Sequence, residues 1–127
     1  MTRIETDILV AGGGIAGLAT AARLGADGRS VIVVDPAPET SGGGDDLRTT
    51  AFLRPAIETL SRAGAWEAMA RAAQPLATMR LLDAGGERRE IRERADFTAA
   101  ELGAEAFGAN VPNTAARAAL RGRIAEM

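Results

Sequence analysis

The chain has 127 residues, of which 46% are hydrophobic and 25% are charged, and this composition is typical of one folded globular domain. A formal net charge of −2 gives no basic surface for nucleic acid, and the absence of cysteine excludes disulfides and thiolate chemistry. The absence of histidine removes the commonest general base, so carboxylates, arginines, backbone amides or a bound cofactor must supply any chemistry.

The first 35 residues predict a strand, a helix and a second strand. Ile4–Ala11 ends in the apolar run DILVA, typical of a strand buried on both faces. Ile15–Asp27 has helix-forming residues with apolar positions three and four apart, and Gly28 follows as a helix stop. Ser30–Asp35 is rich in β-branched residues and predicts a second buried strand. We therefore expect a βαβ core over residues 4–35, with parallel strands and a right-handed crossover.

The middle of the chain gives less definite patterns. Pro36–Asp46 contains prolines and three glycines and predicts a surface loop, whereas Leu47–Phe52 is too short to assign. Leu53–Met69 predicts a helix, either continuous or broken at Gly64, with Pro55 acceptable in the first turn.

The last part of the chain predicts two strands and a helix. The two strands follow Pro75 and are joined by the turn Asp83–Gly86. The segment after this turn is rich in charged residues and also fits a helical turn. Asn113–Met127 has alanines and apolar residues at helical spacing and predicts the final helix.

A glycine motif at the end of the first predicted strand is the clearest chemical signal. Gly12, Gly14 and Gly17 satisfy the pattern G-x-G-x-x-G, which allows a tight turn, backbone approach to a pyrophosphate, and close packing of helix on strand. The amides and the positive dipole end of the following helix attract phosphate. The predicted cofactor-binding residues of this motif are Gly12, Gly13, Gly14, Ile15, Ala16 and Gly17.

Asp35 completes the pattern at the end of the second predicted strand. A carboxylate in this position accepts hydrogen bonds from an adenosine ribose and repels a 2′-phosphate. A strand, a glycine turn, a helix, a second strand and an acid together predict an α/β, Rossmann-like domain that binds FAD or NAD. The alternative is a generic glycine turn beside a surface aspartate.

Two further segments, DDLRTTAFLRPAIETLSRAGAWEAM and FGANVPNTAARAAL, resemble the class A flavoprotein monooxygenases. The likeness is to the ubiquinone-biosynthesis hydroxylase branch, related to p-hydroxybenzoate hydroxylase. The positions that match the family's D-x-R-x-x-A stretch and its following helix junction are Asp46, Arg48, Ala51, Phe52, Leu60, Gly64 and Trp66. The resemblance implies that the glycine motif binds the ADP half of FAD.

The resemblance also implies roles for three polar residues. Arg48 would lie beside the flavin and its ribityl-diphosphate linker, with a solvated loop arginine as an equal alternative. Asn110 would lie near the flavin, although a turn residue before Pro112 is the preferred interpretation. Arg117 would approach the diphosphate or lie on a solvated helix face. No metal site is expected at Asp45 and Asp46.

Members of this family use NAD(P)H and O₂ to hydroxylate an aromatic ring, so the resemblance implies an aromatic quinone precursor as substrate. They are larger than this chain, and residues 1–127 would be the N-terminal portion of the FAD-binding domain, without the substrate domain. Two alternatives stay open: an NAD-binding dehydrogenase or reductase subunit, and a non-catalytic nucleotide-binding or interaction module.

The sequence also bears on location. No apolar stretch approaches the roughly 20 residues of a membrane span, and acidic residues interrupt the N-terminus before a signal peptide could form. We expect a cytoplasmic protein that interacts with no nucleic acid, with peripheral membrane contact and multi-enzyme association left open.

Overall fold

The computed structural model describes residues 3–37, 46–87 and 90–127. It begins with strand β1 (Ile8–Ala11), helix α1 (Ile15–Ala26) and strand β2 (Val31–Val34). The two strands are parallel neighbours, in register from Ile8 opposite Val31 to Ala11 opposite Val34. The predicted order of strand, helix and strand, with parallel strands, is confirmed. Both strands are shorter than predicted, and they are not buried on both faces, since Leu9 is 62% exposed and Val34 is 47% exposed.

Glycine ends the first helix where the sequence predicts. Gly28 has a φ of +79°, a left-handed conformation that carries no steric cost for glycine. The amide of Arg29 then donates to the carbonyl of Leu24 over 3.1 Å, which satisfies one of the free carbonyls at the helix end.

The middle of the chain forms strand β3 (Thr49–Leu53), helix α2 (Arg54–Arg62) and helix α3 (Trp66–Ala70). The unassigned segment before Leu53 is therefore largely a strand. The predicted helix is divided into two pieces at Gly64, whose φ is +76°, and Pro55 lies in the first turn of α2. The predicted loop Pro36–Asp46 lies mostly outside the described residues, at positions 38–45.

A second sheet brings distant segments together. Strand β4 (Gln74–Pro75) and strand β7 (Gly108–Pro112) pair antiparallel, and β7 also pairs antiparallel with β3, in the order β3-β7-β4. Helix α4 (Asn113–Ala125) follows β7 directly and confirms the predicted final helix. Strand β7 has no counterpart among the sequence predictions.

A two-stranded hairpin separates β4 from β7. Strands β5 (Thr78–Gly85) and β6 (Glu90–Thr98) pair antiparallel, so the charged second half is a strand and not a helical turn. The register shifts at Asp83/Ala84, and a short 3-10 helix follows over Ala99–Leu102. Residues 88 and 89 of the connection lie outside the described residues.

The main core lies where α1, α2, α3 and α4 meet the β3-β7-β4 sheet. Phe52 and Trp66 pack edge to face there, with ring centroids 6.3 Å apart. The buried members of this core are Leu18, Ala22, Phe52, Leu60, Ala63, Ala65, Met69, Val111, Ala116 and Leu120. Packing between α1 and α4 therefore connects the βαβ unit to the second sheet.

Candidate functional site

The turn between β1 and α1 has a backbone that requires glycine at its first position. Gly12 has a φ of +112°, a conformation that L side chains rarely adopt. Its amide donates to the carbonyl of Val34 over 2.7 Å, so the turn remains hydrogen-bonded to the neighbouring strand as it leaves the sheet.

The beginning of α1 presents free backbone donors. The amides of Ile15, Ala16 and Gly17 precede the first intrahelical bond, which Leu18 donates to Gly14 over 2.9 Å. The N-cap residue is Gly14, and no side chain caps the helix and no acidic residue occupies its first turn. A phosphate group would satisfy these donors and the positive end of the helix dipole.

Open space lies in front of this helix end. In the described part of the chain, a Cβ at Gly12 or Gly14 would meet no heavy atom within 4 Å apart from those of the adjacent residues. Gly17 differs, because a Cβ there would overlap the carbonyl oxygen of Gly12, so its missing side chain allows the helix to lie against the strand end. Gly12 and Gly14 thus leave room for a ligand, and Gly17 leaves room for the protein itself.

Asp35 lies directly after β2 and faces the glycine turn. One carboxylate oxygen accepts a hydrogen bond from the amide of Gly13, and the other accepts one from the amide of Ala37 over 2.7 Å. The Gly13 and Ala37 bonds hold the pKa of Asp35 below its ordinary value of 3.8. The exposed, ionised carboxylate retains lone pairs that can accept from ribose hydroxyls.

A second polar cluster, the Asp46 cluster, contains Asp46, Arg48, Asn113, Arg117 and Thr50. Asp46 accepts from Nε of Arg48 over 2.8 Å, from Arg117 over 3.0 Å and from Asn113 over 3.4 Å. Thr50 donates to the side-chain oxygen of Asn113 over 2.7 Å. The pKa of Asp46 is far below its ordinary range, first because of Arg48 and then because of Arg117 and Asn113.

Two of the predicted arginines therefore meet at one carboxylate. Arg48 lies on the segment before β3, and Arg117 lies one turn into α4. The Nε atom of Arg117 is buried and has no hydrogen-bond partner in the described part of the chain. Sequence reasoning found both arginines but missed the junction with Asn113, since a pairing across more than 60 residues leaves no local pattern.

Asn110 lies within a strand and not in a turn. It is part of β7, opposite Ala51 on one side and Gln74 on the other, so the preferred interpretation as a turn residue is wrong. The β7 pairing overrides the turn preference that asparagine has before a proline-containing segment. Asn110 borders a cavity of about 410 Å³ whose other lining residues are Ala51, Leu53, Leu76, Thr78, Met79 and Phe107.

The arrangement fits the ADP end of a dinucleotide. The free amides and the positive dipole end of α1 border open space in which a diphosphate would fit. The ionised carboxylate of Asp35 lies beside this space and can accept hydrogen bonds from a ribose. Among residues 3–37, 46–87 and 90–127 there is no cluster of acidic side chains suited to a metal ion. In the same ranges, no helix is both long enough and apolar enough to cross a membrane.

Comparison with known structures gives several matches. Aklavinone-11 hydroxylase, in a ternary complex with FAD and aklavinone, is 24% identical with a TM-score of 0.69, over 99% of this chain and 25% of that one. The p-nitrophenol 4-monooxygenase PnpA from Pseudomonas putida DLL-E4 is 21% identical with a TM-score of 0.67, over 99% of this chain and 30% of that one. PqsL from P. aeruginosa, in complex with 2-aminobenzoylacetate, is 23% identical with a TM-score of 0.67, over 95% of this chain and 31% of that one.

These likenesses establish the fold, and the chain spans a quarter to a third of the length of each of the three structures. A comparison with curated protein sequences finds no significant match. The family model described as FAD dependent oxidoreductase matches residues 7–124, which include the glycine turn, Asp35 and the Asp46 cluster. The chain belongs to the FAD-dependent oxidoreductase family.

Proposed function

We propose that this chain is the FAD-binding part of a flavin-dependent monooxygenase that hydroxylates an aromatic ring. The observation that carries the proposal is the uncapped N-terminus of α1 with open space at Gly14, beside the ionised Asp35. Membership of the FAD-dependent oxidoreductase family supports FAD over NAD as the dinucleotide. The structural neighbours named as hydroxylase and monooxygenase support the reaction class.

Each part of the site has a distinct task in this proposal. The free amides of Ile15, Ala16 and Gly17 at the start of α1 bind the FAD diphosphate, and Asp35 accepts from the adenosine ribose. Arg48 and Arg117 both pair with Asp46, and the resemblance to the class A monooxygenases assigns them to the flavin linker and the diphosphate. When bound, FAD supplies the electron transfer between NAD(P)H and O₂ that ring hydroxylation requires.

The substrate in this proposal is an aromatic quinone precursor. Support comes from the resemblance to the ubiquinone-biosynthesis branch and from the largely apolar cavity of about 410 Å³ at Asn110. A cavity of this size is in the range of small-molecule sites. Asn110 provides a polar group on its wall, and Leu53 and Phe107 provide apolar surface for a ring. A cytoplasmic location, with peripheral membrane or multi-enzyme association, is part of the same proposal.

FAD binding is tested with the variant Gly14→Val. The valine side chain would project into the open space in front of α1, where the diphosphate would lie. We expect FAD affinity to fall about hundredfold or more, the effect of losing two charge-assisted hydrogen bonds. The measurement is titration of FAD by flavin fluorescence, with circular dichroism to verify the fold.

The matched control is Gly122→Val, which makes the same change at another glycine with open space, on the exposed side of α4. This variant should bind FAD within about twofold of the unmodified chain. Retained affinity in Gly14→Val would show that the diphosphate lies elsewhere. Tighter binding of NAD than of FAD would contradict the proposal and support a dehydrogenase or reductase. We expect residues 1–127 alone not to hydroxylate, so hydroxylation is tested with a chain that also carries a substrate domain, by incorporation of isotopically labelled O₂ into a phenolic quinone precursor.

A further inference from the structure

Asp46 accepts hydrogen bonds from two arginines that are distant in sequence. Its Oδ1 accepts from Nε of Arg48 over 2.8 Å, and its Oδ2 accepts from Nη2 of Arg48 over 3.1 Å and from Nη2 of Arg117 over 3.0 Å. The backbone amide of Arg48 donates to the same carboxylate over 3.1 Å. One side chain therefore fixes both the backbone and the guanidinium at position 48.

The two arginines differ in exposure. The side chain of Arg48 is 79% exposed, and that of Arg117 is 18% exposed. An exposed arginine ordinarily samples many rotamers, and holding it in one geometry costs side-chain entropy. The two-point contact with Asp46 sets the plane of the Arg48 guanidinium and leaves its Nη1 edge directed away from the carboxylate.

The charges of the cluster do not cancel. Among the described residues, two guanidinium groups face one carboxylate, an excess of one positive charge, and the buried Nε of Arg117 has no partner there. Such a group can orient an arginine fork and still attract an anion.

We propose that Asp46 is a positioning residue, which orients the Arg48 guanidinium for contact with the anionic linker of FAD. The inference rests on the proposed function, because it requires that Arg48 contacts the cofactor. Asp46 touches no part of the cofactor in this scheme and acts only through the arginines. Its carboxylate lowers the entropy that Arg48 would otherwise lose when the anion binds.

The direction in which FAD affinity changes in Asp46→Asn distinguishes positioning from a purely electrostatic effect. Asp46→Asn removes a negative charge beside the site, and Coulomb's law alone predicts tighter binding of anionic FAD. Positioning predicts the opposite, because the amide of asparagine offers one acceptor oxygen and places a donor against the arginines. We expect FAD affinity to fall about tenfold, as measured by flavin fluorescence.

A double-mutant cycle tests whether Asp46 acts through Arg48. In an Arg48→Ala background, Asp46→Asn should change FAD affinity by less than about twofold, because there is no guanidinium left to orient. A purely structural role would persist in that background. The matched control is Asp96→Asn, since Asp96 also accepts from two arginines, Arg80 and Arg94, but lies on the β5–β6 hairpin. That control should leave FAD affinity within about twofold.

The remaining outcomes of these experiments also support or overturn the positioning role of Asp46. Unchanged or tighter FAD binding by folded Asp46→Asn would overturn the inference, and the proposed function would stand if Gly14→Val still loses binding. If Asp46→Asn fails to fold, Arg48→Lys decides, because lysine keeps the charge and loses the two-point fork. A tenfold loss in that variant supports positioning, and full affinity refutes it. No FAD binding by the unmodified chain would overturn the proposed function and this inference together.

Discussion

At the scale of single residues, the glycines of the first turn lack side chains for different physical reasons. Gly12 needs a positive φ, Gly14 leaves open space at the helix end, and Gly17 lies against the carbonyl of Gly12. The G-x-G-x-x-G pattern predicts these same three roles, because each role follows from the geometry of a strand, a tight turn and a helix. Substitutions at the three positions should therefore affect different properties, namely the backbone conformation of the turn, ligand binding and helix packing.

Gly17→Ala should lower stability. The added methyl group would overlap the Gly12 carbonyl, and moving α1 away from the turn should cost about 1–3 kcal/mol. The measurement is the free energy of unfolding from urea titration. Gly122→Ala is the control, because a methyl group there meets open space, and it should be stabilising by about 0.5–1 kcal/mol. Equal effects of the two substitutions would contradict the close packing at Gly17.

The residues of the candidate site were predictable to different degrees. Asp35 could be found because it is linked to the glycine turn by a short βαβ unit, whose geometry is general. The contact of Asp46 with Arg117 spans 71 positions and depends on how α4 packs after β7. No periodicity in the sequence encodes that packing, so Arg117 remained ambiguous and the part played by Asn113 was not seen.

At the scale of elements, local patterns predicted β1, α1, β2 and α4, whereas β7 required tertiary information. The segment Gly108–Pro112 has a proline and an asparagine, which sequence rules assign to turns. In the fold it lies between β3 and β4, and a side chain at Gly108 would overlap the backbone of Phe52. The close approach of β3 and β7 therefore explains the glycine at position 108, which sequence rules alone do not explain.

The β5–β6 hairpin exposes an apolar face, defined here by Met79, Leu81 and Phe97. Met79 lies opposite Phe97, and all three side chains are about half exposed. Replacing Leu81 and Phe97 by threonine should therefore change the free energy of unfolding by less than about 1 kcal/mol. It should also reduce binding of a hydrophobic fluorescent dye, which reports exposed apolar surface.

Leu102→Thr provides the control for this hairpin prediction, because Leu102 is also exposed but lies on the 3-10 helix. Dye binding should decrease less in this variant than in the double substitution. A loss of stability above about 2 kcal/mol in the hairpin variant would show that its apolar face is packed in solution.

At the scale of the whole molecule, stability should depend on pH only in the acid range. Asp7, Asp35, Asp46 and Asp96 all have a pKa below the ordinary value of 3.8, chiefly because of hydrogen bonds from Ser30, Gly13, Arg48 and Arg80, respectively. Carboxyl groups of this kind stabilise the fold above the unfolded pKa, and the contribution is lost as protons bind to the folded state.

The melting temperature should therefore be nearly constant between about pH 5 and 7, since the chain has no histidine, and should fall below about pH 4. The measurement is thermal unfolding by circular dichroism across this range. Asp96→Asn should make the decline shallower, because the hydrogen bonds from Arg80 and Arg94 no longer depend on a titrating carboxylate. A melting temperature that stays constant down to pH 2 would contradict the prediction.

Because no side chain caps the start of α1, the stability of its first turn and the binding of a ligand there depend on each other. A glycine N-cap leaves the first amides of the helix without a side-chain acceptor, and compared with serine or aspartate it costs about a few tenths of a kcal/mol. An anion at these amides would serve as the absent cap, so whatever binds there also completes the helix. By linkage, substitutions that stiffen the first turn of α1 would improve affinity without adding any contact to the ligand.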